Sequence, residues 1–138
     1  MLVAFCAALA AAIVVITWAR TSVEYKTLPD RVPLNLGFGG AVNSYGPRGA
    51  IWLLPAAQLF SAAIFSFAGY VLAVGAPGAH GSLRGFAFFA PCILAVLWRA
   101  QSLIISAAQS GESRVPMGGF WLFFVAMLGA GTLAMFFL

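Results

Sequence analysis

Apolar residues do not alternate along this chain; they come in four long runs separated by polar stretches rich in Gly and Pro. The runs cover about residues 2–19, 51–74, 85–109 and 117–138. Each is close to the roughly 20 mostly apolar residues that a helix needs to cross the hydrocarbon core of a bilayer. The pattern predicts an all-α membrane protein, a four-transmembrane-helix bundle forming a single membrane domain over residues 1–138. A long ordered loop, residues 20–50, joins the first two helices. The first run ends at Trp18 and Arg20, an aromatic anchor beside a charge. It lacks the basic leading region of a secretory signal and is longer than such a signal's apolar stretch, so it is read as a retained helix.

The punctuation between runs sets the order of packing. Residues 75–83 read as a short Gly- and Pro-rich turn and residues 111–116 as a second one, and short turns make consecutive helices antiparallel neighbours. Pro55 falls one turn into the second helix, where Pro is tolerated, and Pro91 is expected to kink the third. On the fourth helix Ala126, Ala130 and Ala134 recur every four residues, and the first helix is rich in Ala. Such faces allow close backbone approach, although a general bias toward Ala produces the same spacing.

Composition agrees with the runs: of 138 residues, 63% are hydrophobic and 7% charged, with a mean hydropathy of +1.02. A soluble domain of this size needs more charge to cover its surface; here the surface faces lipid, and the bilayer is the first partner. The formal charge of +4 does not point to nucleic acid, because the basic residues stand singly in loops. Arg20, Lys26, Arg31, Arg48 and Arg114 fall on one side of the membrane and Arg84 on the other. The positive-inside rule then places residues 20–50 in the cytoplasm and both ends outside. Cys6 and Cys92 lie within apolar runs and His80 is the single histidine, so neither a disulfide framework nor a metal site is expected.

The 20–50 loop holds most of the information. About thirty residues is long for a connection in so small a bundle. The loop carries Leu28, Val32, Leu34, Leu36, Phe38 and Tyr45, with Pro29, Pro33 and Pro47 as rigid points and five glycines at positions 37, 39, 40, 46 and 49. A compact cap on the membrane surface is expected, with Gly40 supplying a positive φ for a turn. The glycines lack the Lys-Ser/Thr of a phosphate-binding loop and no strand–helix unit surrounds them.

The stretch LPDRVPLNLGFGGAVNSYGPR, residues 28–48, followed at once by an apolar helix with an early Pro, resembles the membrane domain known as domain of unknown function 1648. That domain opens the Sdp-type immunity proteins of bacteria, which protect a producer cell from its own secreted toxin. The resemblance rests on Leu28, Pro29, Asp30, Val32, Pro33, Gly40, Asn43, Tyr45, Gly46 and Arg48 and covers about the first 75 residues. The family has His-Phe/Trp-Asn where this chain has Asn35, Leu36 and Gly37, so a titrating imidazole is replaced by the Asn35 amide. The resemblance implies a bacterial inner-membrane protein that binds or senses a ligand or a membrane-active peptide.

Polar residues inside the runs complete the candidate site. With the third helix over residues 85–109, Arg99 falls near its middle, where arginine costs roughly 2.5–3.5 kcal/mol on insertion scales. At 100° per residue, Arg99, Ser102, Ser106 and Gln109 share one face, and Gln58 and Ser61 lie in the half of the second helix nearest the loop. Two readings follow. Either these groups line a polar crevice beneath the loop that binds a ligand, or Arg99 snorkels or pairs with a loop carboxylate, Asp30 first, to hold the fold. No carboxylate lies within a span, which argues against proton-coupled export. No nucleophile–base pair or metal set is present, so a non-enzymatic protein without a cofactor is expected. The alternative function is that of an accessory subunit packing into a larger membrane complex.

Overall fold

A computed structural model describes residues 1–75 and 80–137. Its elements are helix α1 (Leu2–Glu24), a 3-10 turn (Tyr25–Thr27), strands β1 (Arg31–Leu36) and β2 (Val42–Pro47), and a 3-10 turn (Arg48–Trp52). Helices α2 (Leu53–Gly75), α3 (His80–Ser110) and α4 (Gly118–Phe137) follow. All four helices are long and apolar enough to cross a membrane, so the protein is a multi-pass membrane protein with the expected four-helix architecture. The turn expected over residues 75–83 falls partly outside the described residues, at 76–79, and α3 already begins at His80.

α3 is the central helix, packed against α1, α2 and α4. Its contact with α4 is close because Gly85 and Gly131 carry no side chain. A Cβ on Gly85 would lie 2.6 Å from Met135 Cα, and one on Gly131 would lie 2.5 Å from the Phe89 ring. The small-residue face on α4 is therefore Gly131 with Ala134, both buried, while Ala126 of the expected alanine stripe is exposed. That stripe drifts off the contact face because a four-residue step overshoots the 3.6-residue turn.

The loop between α1 and α2 contains strands, a departure from the all-α expectation. β1 and β2 pair antiparallel, Arg31 opposite Pro47 and Pro33 opposite Tyr45, with irregularities on either side of Asn35. The tip is closed by Gly37 N–H donating to Ala41 (2.8 Å) and Gly40 N–H donating to Gly37 (2.8 Å). Gly40 has φ +81°, the turn role expected of it.

The α3–α4 connection runs along the hairpin and completes the cap. Val42 N–H donates to Ser113 O (3.0 Å) and Val115 N–H donates to Gly40 O (2.9 Å), around an isolated bridge between Ala41 and Arg114. Trp121 at the start of α4 donates its indole N–H to Phe38 O (3.1 Å), and the two rings stack at 5.0 Å. Beneath the hairpin, Leu28, Val32 and Ile51 pack on Ile105 and Ala108 of α3. The cap is thus a hydrogen-bonded lid with its own small core.

Candidate functional site

The polar residues of the cap-side half meet around the last three turns of α3. Gln101, 2% exposed, donates from Nε2 to Thr21 Oγ1 on α1 (3.1 Å) and to Ile51 O below the cap (3.0 Å). Arg20 Nη1 donates to Ser102 Oγ (3.0 Å), whose hydroxyl donates to Trp98 O. Gln109 Nε2 donates to Glu24 Oε2. Lower down, the fully buried Gln58 donates from Nε2 to Leu94 O (3.0 Å). Apart from Ser102 to Trp98 O, which lies within α3, each contact joins α1, the cap or α2 to α3, so this layer serves as the seam of the bundle. In an apolar surround an unmade polar contact is costly, which makes such a layer a strong determinant of helix register.

The seam also fixes where Arg99 lies. α3 is 31 residues long, about 46 Å at 1.5 Å per residue, against a hydrocarbon core of roughly 30 Å. Arg20, which closes the apolar run of α1, reaches Ser102, and the turns beyond it pack on one side against the cap through Ile105 and Ala108. Arg99 lies one turn below that contact, within the Leu83–Ser110 segment that is long and apolar enough to cross a membrane. It is half-buried and has no hydrogen-bond or ion-pair partner among the described residues. Ser106 is exposed, as is Asp30, which contributes its backbone carbonyl to Arg48 N–H (2.9 Å). The expected face of Arg99, Ser102, Ser106 and Gln109 is thus split: Ser102 turns inward, while Ser106 and Gln109 face out.

Gln101, Thr21, Arg20 and Glu24 are the seam residues absent from the expected set. One signal for them was available: Thr17 and Thr21 are four residues apart in an otherwise apolar helix and both are buried. Thr17 spends its hydroxyl on Ile13 O (2.8 Å). Between the seam and the cap the remaining cavity, lined by Pro33, Leu34, Ile51, Gln101 and Ile104 among others, measures about 40 Å³. That is room for a few water molecules.

The motif residues sort into two groups. Val32, Pro33, Gly40 and Gly46 are buried and hold the hairpin; a Cβ on Gly46 would lie 2.4 Å from Leu34 Cδ1. Arg48 is half-buried, its guanidinium 5.2 Å from the centre of the Tyr25 ring. Tyr25 and Trp18 pack in turn on Trp52 (6.0 and 5.3 Å), an aromatic belt at the cap-side interface. Pro29, Asp30, Asn35, Asn43 and Tyr45 are exposed. The side chains of Asn35, Asn43 and Tyr45 have no hydrogen-bond partner among the described residues.

No curated protein and no solved structure matches the chain. A family model does: residues 12–59, from the middle of α1 through the hairpin to the first turns of α2, match the family described as Domain of unknown function (DUF1648).

Proposed function

We propose that this is a non-enzymatic protein of the bacterial cell membrane that binds a membrane-associated peptide segment on the outer face of its cap. The carrying observation is the division within the motif. Gly40, Gly46 and Val32 are spent on holding the hairpin, whereas Asn35, Asn43 and Tyr45 project from it with free polar groups. A hairpin braced by α4 and by the α3–α4 connection presents these groups without further ordering, which lowers the cost of binding. Readout by side chains also suits strands bearing Pro33 and Pro47, since proline removes backbone donors from an edge and disfavours addition of a third strand. The pocket beside Gln101 is small, about 40 Å³, which favours the outer face of the cap over the space beneath it.

Five of the seven cationic side chains fall in or beside the cap, so the positive-inside rule puts this surface in the cytoplasm. Its partner is then a segment reached from that side, such as a loop of another membrane protein. A protective role against a secreted toxin requires the opposite orientation. Two measurements on the intact protein test the reading. A cysteine at Ser44, exposed on β2, should resist impermeant thiol reagents in whole cells and react after lysis. A photoreactive residue at Tyr45 should give a discrete peptide adduct in cells that weakens when Asn35 is changed to Ala. The same residue at lipid-facing Val125 should give lipid adducts alone. Labelling of Ser44→Cys in whole cells sinks the cytoplasmic assignment. Indistinguishable adducts from Tyr45 and Val125 sink the binding surface.

A further inference from the structure

In the half of the bundle away from the cap, α1 and α2 diverge and leave an apolar cleft of about 600 Å³ floored by α3. We propose that this cleft is a binding site for one acyl chain of a phospholipid from the leaflet opposite the cap, with the headgroup held at Arg84 and Tyr70. The walls are made of small residues, among them Ala7, Ala62, Gly69, Ala87 and Ala90, and the small side chains are what create the space.

Three observations identify the occupant. On α1 the cleft runs from Val3 to Val15, about 18 Å along the axis, slightly more than half of a hydrocarbon core roughly 30 Å thick. It therefore spans one leaflet and ends near the bilayer centre. Its volume of about 600 Å³ is a size suited to one alkyl chain. A helix about 10 Å across would need more than twice that volume over the same length and would stand largely outside. Finally, the outer end has polar groups in the right place. Tyr70 lines the cleft, and Arg84 follows the lining residue Leu83 with an exposed side chain. Arg84 is the one Lys or Arg of the sequence assigned to that face, so a phosphate there meets a positive charge and a phenol. Within a bilayer the stabilisation comes from dispersion contacts that an unfilled cleft would forgo, since lipid tails are as apolar as the walls.

The test uses the full-length protein reconstituted in vesicles of mixed phosphatidylcholine and phosphatidylglycerol, extracted in mild detergent and weighed by native mass spectrometry. Gly69→Leu is the informative variant, because a Cβ on Gly69 meets nothing within 4 Å and the added side chain enters the cleft without disturbing a helix. The wild type and Gly69→Ala should retain one phospholipid. Gly69→Leu should lose retention about tenfold at an unchanged melting temperature, and Ala62→Leu serves in its place should it fail to fold. Arg84→Gln should reduce the preference for phosphatidylglycerol roughly fivefold. Equal retention by wild type and Gly69→Leu overturns the proposal, as does an unaltered headgroup preference in Arg84→Gln. A homodimer that Gly69→Leu dissociates also overturns it, since a second copy would then cover the cleft.

Discussion

At the cap end, α1 and α3 are tied together by Gln101 to Thr21, Arg20 to Ser102 and Gln109 to Glu24; at the other end α1 and α2 stand apart around an apolar cleft. The same helices thus follow two different rules within one bilayer. Near the interface the helices can be joined by polar contacts, because long side chains there connect to backbone and hydroxyl partners at the edge of the hydrocarbon. In the other half, small residues set helix separation: close where Gly85 meets α4, open where Ala62 and Gly69 line the cleft beside α1. A bundle built this way has α1 cross-linked to α3 at one end and parted from α2 at the other. The contrast predicts that substitutions of similar size differ sharply in cost between them.

The largest difference is expected at glycine. A side chain on Gly40 must accept φ +81° and would place its Cβ 1.8 Å from Val115 O. Gly40→Val should therefore break the Val115–Gly40 hydrogen bond and detach the hairpin from the α3–α4 connection, costing roughly 3–4 kcal/mol. Insertion should persist, because the apolar runs are unchanged, while protease cleavage within the hairpin becomes rapid. Gly69→Leu adds a comparable side chain at the open end and should leave the melting temperature as it is. Equal losses at the two sites would show that the cap contributes no special rigidity.

The next effect probes the seam. Gln101→Leu removes the donor that serves Thr21 Oγ1 and Ile51 O, and an unsatisfied buried acceptor costs about 1–3 kcal/mol. The loss should fall in the lower part of that range, because Gln101 Oε1 is itself buried without a partner and its removal returns some of the cost. Ser66→Ala, the comparison in the open half, deletes an exposed hydroxyl bonded only to its own helix at Ala62 O and should cost nothing measurable. Chemical-denaturant melts of the two variants in one detergent make the comparison. A Gln101→Leu protein as stable as the wild type would mean that α1 and α3 are held by apolar packing alone.

How far the sequence revealed these two ends differs. The spans were legible because run length and hydrophobicity decide them locally, and the cap's compactness was legible from Leu28, Val32 and Leu36 among rigid prolines. The strands were not. Pro29, Pro33 and Pro47 argue for turns, the pairing register of β1 shifts on either side of Asn35, and the third side of the cap comes from residues 113–115, some seventy positions away. The seam was half legible. Gln58 and Ser102 stood out, but Gln101 lies on the face opposite Arg99, and only the observed packing reveals which face turns inward. Arg99 was legible as a costly residue within the third apolar run, but not the exposure of Asp30, which leaves that carboxylate away from it. The last turns of α3 pack on one side against the cap, through Ile105 and Ala108, a contact that no local pattern announces.

The smallest effect is expected at Arg99. Were Arg99 paired with Asp30 inside the bundle, removing either partner would leave a buried charge uncompensated. Arg99 instead lies one turn below the Arg20–Ser102 contact, half-buried, and Asp30 is exposed at the base of the hairpin. The aliphatic stem can lie along α3 while the guanidinium reaches the interface. Arg99→Gln should then change stability by no more than about 0.5 kcal/mol, and Asp30→Asn should leave it within the scatter of the measurement. The double variant should equal the sum of the two, since residues without a shared contact show additive effects. Melting temperatures of the wild type, both single variants and the double in one detergent give the coupling directly. A double variant markedly more stable than the sum would reveal a contact between the two side chains.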